Sequence, residues 1–357
     1  MRIILLALTL LTLSSQAQIQ SIAGTGEKGF SGDGGPAIQA QINNPFGLTL
    51  GPDHALYFCD TENHILRKIS PDGLISTIAG TPTKKGYAGD QGPATAALLN
   101  EPYELRFDKT GDLYFVERMN HLVRHINMKT GVIDTLAGNG KPGFAGDNGP
   151  ASKAQFNQPH SLQFDPAGDL YICDILNHRI RKIDMQTRTI TTYAGTGKKG
   201  PTPDNAPVAG TPLFGPRALD FDTAGNLYLA LREGNAIYRI DMKSQTLHHI
   251  AGTGKKGFTG DDGPALQATL SGPKALAVAP NGNIYLADTE SHSIRMINPT
   301  THTIHLVAGT HHKGHGPYTT PLQCQLARPH GLYVAPDNTI YIGDSESHRI
   351  LKISPGK

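Results

Sequence analysis

The chain of 357 residues contains no tryptophan and only three cysteines, and charged side chains make up just 17% of it. Three cysteines are too few for a disulfide scaffold, and an odd number leaves at least one thiol outside any intrachain bridge. The low charge content, with 38% apolar residues, excludes a coiled coil and a disordered tail protein. Lys and Arg number 32 against 30 Asp and Glu, a net charge of +2. No basic run is long enough to form a patch, so nucleic acid is not an expected partner. Long apolar runs are missing after the first residues, so no integral membrane segment is expected.

The one apolar run covers residues 3–13. Arg2 precedes it and Ser15-Gln16-Ala17 follows it. A basic start, a short apolar stretch and a small-x-small site read as a signal peptide over residues 1–17. The expected mature chain begins near Gln18, is exported, and works in the periplasm or outside the cell.

Glycine and proline are what the chain has in excess, at 41 and 25 residues. Average usage is roughly 7% and 5%. Length alone suggests about two or three domains, but internal repetition overrides that reading. Ala-Gly recurs at Ala23, Ala79, Ala137, Ala194, Ala251 and Ala308, in steps of 56 to 58 residues. A proline recurs at Pro45, Pro102, Pro159, Pro216, Pro273 and Pro329, in steps of 56 or 57. Six such units fill residues 18–357, so a single domain is expected.

Each unit has the same grammar. An apolar strand follows the proline, as in Leu105-Arg106-Phe107. A turn such as Pro166-Ala167-Gly168-Asp169 leads to a second strand, as in Leu113-Tyr114-Phe115-Val116. An acidic residue and a short polar loop come next. A third strand alternates apolar and basic residues, as in Ile180-Arg181-Lys182-Ile183, the pattern of a half-exposed strand. A fourth ends in Ala-Gly. Four short antiparallel strands repeated at this length predict an all-β, six-bladed β-propeller. The chain opens on a fourth-strand segment and ends after a third strand. Residues 19–24 are therefore expected to complete blade six and close the ring, hiding its edges.

The polar loop carries Asn63-His64, Asn120-His121-Leu122 and Asn177-His178 at one position of successive units. This resembles the NHL-repeat family of propellers over all six units. Gly234-Asn235 departs from the pattern in blade four, and Ser291-His292 and Ser347-His348 depart in blades five and six. What recurs in nearly every blade is read as scaffold. That covers the loop histidines, Tyr57 and its equivalents, and Asp60, Asp174, Asp288 and Asp344, which are expected to accept hydrogen bonds from their loops. Cys59 and Cys173 share a slot filled elsewhere by Val116, Ala230, Ala287 and Gly343, so they are expected to be buried. The segment Gly32-Asp33-Gly34-Gly35-Pro36-Ala37 recurs at residues 89–94, 146–151 and 260–265. It is read as a tight turn into a short helix with proline at the first helical position. It lacks the ligand spacing of a calcium loop. His311, His312 and His315 are read as a solvated loop.

Function is sought where blades differ. The residue after the repeat proline is Phe46, Tyr103, His160, Arg217, Lys274 and His330 in turn. This position begins the innermost strand, so it should ring one mouth of the channel. The loop after the second strand should share that face and adds Arg118, Arg232, Glu233 and Glu290. Blade two contributes Glu104 and Glu117. Arg118, Arg217, Arg232 and Lys274 make a cationic patch in a nearly neutral protein, and arginine favours planar anions. A binding module for a protein segment, a glycan or an anionic small molecule is the leading expectation, with the chain acting as a monomer. The absence of tryptophan counts against a neutral-sugar platform.

The second expectation is a lyase. Pro159-His160-Ser161-Leu162 and Pro329-His330-Gly331-Leu332 resemble metal-binding segments of peptidylglycine alpha-amidating lyase, a family that sets three such histidines around one zinc. Only two are matched here, and Arg and Lys occupy neighbouring ring positions, so neither zinc nor another cofactor is expected. In a metal-free lyase, Arg217 or Arg232 would neutralise a substrate carboxylate. His160 or Tyr103 would remove the adjacent proton, with His330 beside them. Neither a strand-to-helix serine elbow nor a Cys/His pair supports a hydrolase.

Overall fold

A computed structural model describes residues 17–355, and nearly all of the predicted leader lies outside them. The chain forms six antiparallel sheets arranged as a six-bladed propeller. The innermost strands are Pro45–Leu50, Pro102–Phe107, Pro159–Phe164, Pro216–Phe221, Pro273–Val278 and Gly331–Val334. Each touches the next around the axis, and the last touches the first. Gln18–Ala23 pairs antiparallel with Arg349–Ser354 and becomes the outer strand of blade six. The ring therefore closes as the strand count requires.

Apolar burial follows the same symmetry. Six buried clusters occupy the six blade interfaces, and the one between blades six and one joins Ala23 and Ile350 to Leu48, Leu56 and Phe58. Cys59, Cys173 and Cys324 are free and buried. Burial pushes all three thiols upward, so they behave as small apolar residues.

Two local expectations are corrected. Pro36, Pro93, Pro150 and Pro264 do not open a helix. Each is extended, one residue before a single 3-10 turn. In blades two, three and five the Gly-Pro pair forms a two-residue fifth strand on the blade's outer edge, and Ala206–Pro207 does so in blade four. Only blade six, with Pro321 opening the turn Pro321–Gln323, has proline at the first helical position.

The third-strand arginines are the second correction. Arg67, Arg124, Arg181 and Arg295 are fully buried rather than half exposed. Each bridges the acidic residue that ends its second strand and the aspartate of the preceding glycine-rich segment. Arg124 holds Glu117 at 2.8 Å and Asp90 at 2.7 Å. Arg67 lies 3.5 Å from Asp60 and 2.6 Å from Asp33. An aromatic ring covers each guanidinium: Phe30 over Arg67, Tyr87 over Arg124, Phe144 over Arg181 and Phe258 over Arg295. The glycine-rich segment supplies the aspartate, and the aromatic residue two positions before the segment supplies the lid, for each buried cation.

The loop histidines are latches between blades. His64, His121, His178, His292 and His348 sit in the left-handed region, and their Nδ1 atoms accept the backbone N–H that precedes the next blade's proline. In blade four Asn235 is left-handed too, and its Oδ1 accepts the same bond from Gly272 at 2.9 Å. Asparagine tolerates that conformation, so the departure from Asn-His keeps the latch.

Candidate functional site

The residues after the repeat proline do meet at one end of the channel. Phe46 stacks on His330, with ring centroids 4.3 Å apart, and meets the edge of Tyr103 at 4.5 Å. Tyr103 meets His160 at 4.6 Å, and the Arg217 guanidinium lies 4.7 Å from the Tyr103 centroid. Lys274 Nζ donates to His330 Nε2 at 3.2 Å, which completes the ring. A cavity of about 210 Å3 opens between this ring and the loops above it, lined by Tyr103, His160, Arg217, Lys274, Arg118 and Arg232 among others.

The cavity is off centre for a reason written in the second-strand loops. In blades one, five and six that loop begins with Thr61, Thr289 or Ser345. Their hydroxyls bond the next blade's proline carbonyl at 2.7 to 2.9 Å. In blades two, three and four the position holds Arg118, Ile175 and Arg232, whose side chains line the cavity.

Two expected ligand residues belong elsewhere. Glu117 is fully buried, accepts the Asn100 N–H at 2.7 Å and holds Arg124, so it is scaffold. Glu104 is buried, at a position where the other blades have Gly47, Ser161, Ala218, Ala275 and Gly331. It pairs with Arg106 there. Gly47 is needed beside it, because a Cβ would meet the Glu104 Cα at 2.7 Å.

Three rim residues were not singled out by the sequence reading: Glu101, Gln158 and Arg328. They occupy the position just before the repeat proline, and all have positive φ. Arg118 donates to Glu101 and, at 3.2 Å, to Gln158. Arg328 holds Glu290 at 2.7 Å and Glu346 at 2.8 Å. Their variation from blade to blade, like that of the ring residues, was the available signal.

The mouth carries five cations, Arg118, Arg217, Arg232, Lys274 and Arg328, against the carboxylates of Glu101, Glu233, Glu290 and Glu346. Four cations hold a carboxylate. Arg217 holds none among the described residues, although it is only 2% exposed. Burial lowers its pKa, opposed by Tyr103 and by the more distant Glu104. Burial likewise brings Lys274 down to about 8 against the pull of Glu290. Glu290 resists burial, and its bonds to Arg328 and Lys274 hold it at about 2.

Both ring histidines are neutral. Burial, reinforced by Arg217 for His160 and by Lys274 for His330, keeps them well below the ordinary range. Each Nδ1 faces a carbonyl two residues earlier, Gln158 at 2.7 Å and Arg328 at 2.8 Å, so Nδ1 carries the proton and Nε2 the lone pair. His330 Nε2 is taken by Lys274, whose ammonium would oppose a metal there. Among the described residues no group of three or more His, Cys, Asp or Glu could hold a metal ion, and no helix is long and apolar enough to cross a membrane.

Comparison with known proteins gives a consistent picture. The NHL repeat model matches residues 270–295 and 326–353. These are blades five and six, where Ser replaces the Asn of Asn-His. Protein SUPPRESSOR OF QUENCHING 1, chloroplastic, from Arabidopsis thaliana is 31% identical over 294 residues, 78% of this chain and 27% of that protein. The chain spans between 10% and 40% of the length of the first curated relatives it matches. An auxiliary nutrient binding protein from Bacteroides ovatus superposes with a TM-score of 0.69 at 15% identity, over 96% of this chain and 78% of the other. Virginiamycin B lyase from Staphylococcus aureus superposes with a TM-score of 0.56 at 15% identity, over 95% of this chain and all of the other. At these identities the two solved structures share the fold.

Proposed function

We propose that this chain, a member of the NHL-repeat propeller family, is an exported binding module whose cationic mouth takes an anionic ligand. One observation carries the reading. Arg217 is a buried guanidinium without a carboxylate partner among the described residues, lining a cavity with four further cations. A buried charge lacking a partner is costly in the empty protein, and a bound carboxylate or sulfate would relieve that cost through paired hydrogen bonds. Tyr103 adds an aromatic wall. A free anionic small molecule, an acidic sugar or an acidic side chain of a protein segment all present this chemistry. The protein would act as a monomer in the periplasm or outside the cell.

His160 favours a second reading, a lyase acting on a carboxylate-bearing substrate. It is neutral, its Nε2 carries the lone pair, and it shares the cavity with Arg217. Arg217 would hold the carboxylate while His160 or Tyr103 removes the proton beside it. His330 would be a positioning residue, since Lys274 occupies its Nε2.

A binding and turnover screen with uronate-containing polymers and small carboxylates separates the two. Saturable binding with no turnover supports the module. New absorbance from an unsaturated product, lost in His160→Ala, supports the lyase and displaces the first reading.

A further inference from the structure

We propose that blade four carries a second binding site, beside the channel mouth and reached from it by Glu233, for a small organic ammonium with an apolar body. The argument does not rest on the function proposed for the mouth.

Blade four departs from the repeat at several positions that touch one another. Pro201 stands where Phe30, Tyr87, Phe144 and Phe258 cover the buried arginines of other blades. Tyr238 stands in place of that arginine, Leu231 in place of its acidic partner, and Gly234 in place of Asn63, Asn120 and Asn177. Drift would scatter such changes, whereas these remove cation, second-strand acid, lid and loop amide together and leave only Asp204 of the unit. The backbone loses nothing by it. Tyr238 Oη donates to the Thr202 carbonyl, and Thr202 Oγ1 donates to the Pro212 carbonyl at 2.7 Å. In blade one the equivalent carbonyls, of Ser31 and Gln41, receive Arg67.

The vacated volume is a cavity of about 590 Å3, within the range of small-molecule sites. Its walls include Phe214, Leu231, Ala236 and Tyr238, with exposed Lys199 at its edge. Into this apolar surround comes Glu233. Its Oε1 holds Arg232 at 2.9 Å, while Oε2 is buried and has no donor. Glu233 reaches this place because Gly215 precedes the repeat proline. A Cβ on Gly215 would lie 1.4 Å from Oε2. A buried carboxylate oxygen lacking a donor is a costly arrangement. Oε2 packs on Gly215 with almost no open surface, so the Glu233 side chain turns toward the cavity on binding, where an ammonium N–H on an apolar ligand supplies the donor and the ligand's body fills the walls.

The test is equilibrium binding of phenethylamine to the full chain, with phenethyl alcohol as the uncharged control. Ala236→Ile places blade one's own residue, Ile65, at the equivalent position and fills the cavity. Glu233→Gln keeps the shape and removes the charge. The expected result is saturable binding of the amine, about tenfold tighter than the alcohol. That preference is lost in Glu233→Gln, and amine binding is lost in Ala236→Ile. Carboxylate binding at the mouth persists in Ala236→Ile, which separates the two sites. Should Ala236→Ile fail to fold, Glu233→Gln decides alone. Equal affinity for amine and alcohol, no saturation, or unchanged amine binding in either variant overturns the proposal.

Discussion

The Nδ1 of His121, in blade two, accepts the backbone N–H of Gln158, at the entrance to blade three, over 3.0 Å. The same contact recurs at every blade boundary, with Asn235 standing in once. It makes the loop histidine a joint between blades. His121→Ala should leave the Gln158 N–H without its acceptor and cost about 1–3 kcal/mol. His121→Asn should cost less than about 1 kcal/mol, since an amide oxygen replaces the ring nitrogen. Urea unfolding of the two variants checks this, and equal losses would contradict it.

The latch also sets a pH dependence. Burial, followed by the charge of Arg118, lowers the His121 pKa below its ordinary value of 6.5. The native state therefore binds the proton less readily than the unfolded chain. This contribution to stability is full above pH 6.5 and is lost as pH falls below it. Asp60 and Glu117, raised to about 7 mainly by burial, act in the opposite direction. The difference between wild type and His121→Asn isolates the histidine. Wild type should lose stability relative to this variant between pH 7.5 and pH 5, and a constant difference would exclude a neutral acceptor at His121.

Two arginines should answer the same substitution in opposite ways. Arg124→Met strands buried Glu117 and should destabilise by about 3–5 kcal/mol. Arg217→Met strands no carboxylate and should leave the melting temperature unchanged or raised, a pattern expected of residues kept for binding. A large loss in Arg217→Met would make Arg217 scaffold.

Ring closure rests on the first strand. Ile19 is 2% exposed and packs with Leu351 and Ile353. Ile19→Ala should cost about 2–4 kcal/mol, as a core truncation does. A loss under about 1 kcal/mol, measured by thermal unfolding, would mean that the closing strand is dispensable.

The period of 57 residues made the fold legible, because one blade's grammar could be checked against five others. Closure was legible because the first strand of the chain supplies the one element that blade six lacks. Arg67 and its equivalents were misread because alternation along a strand records only its neighbours. The partner, Asp33, lies 34 residues upstream. The signal was joint occurrence: Phe30, Asp33 and Arg67 have counterparts together in blades two, three and five. Blade six has none of the three, and blade four retains only the aspartate, at Asp204. Variation picked out most of the mouth, including Arg217, but it also drew in Glu117. Glutamate there differs from the aspartate of blades one, three, five and six in length, not in role.

The most direct measurement for the central claim is calorimetric titration of wild type and Arg217→Met with a panel of mono- and dicarboxylates and uronate oligosaccharides. Saturable binding of at least one anion by wild type, weakened about tenfold or more in a variant that melts no lower, is the predicted result. Equal affinity in the two proteins, or no binding by wild type across the panel, would contradict it.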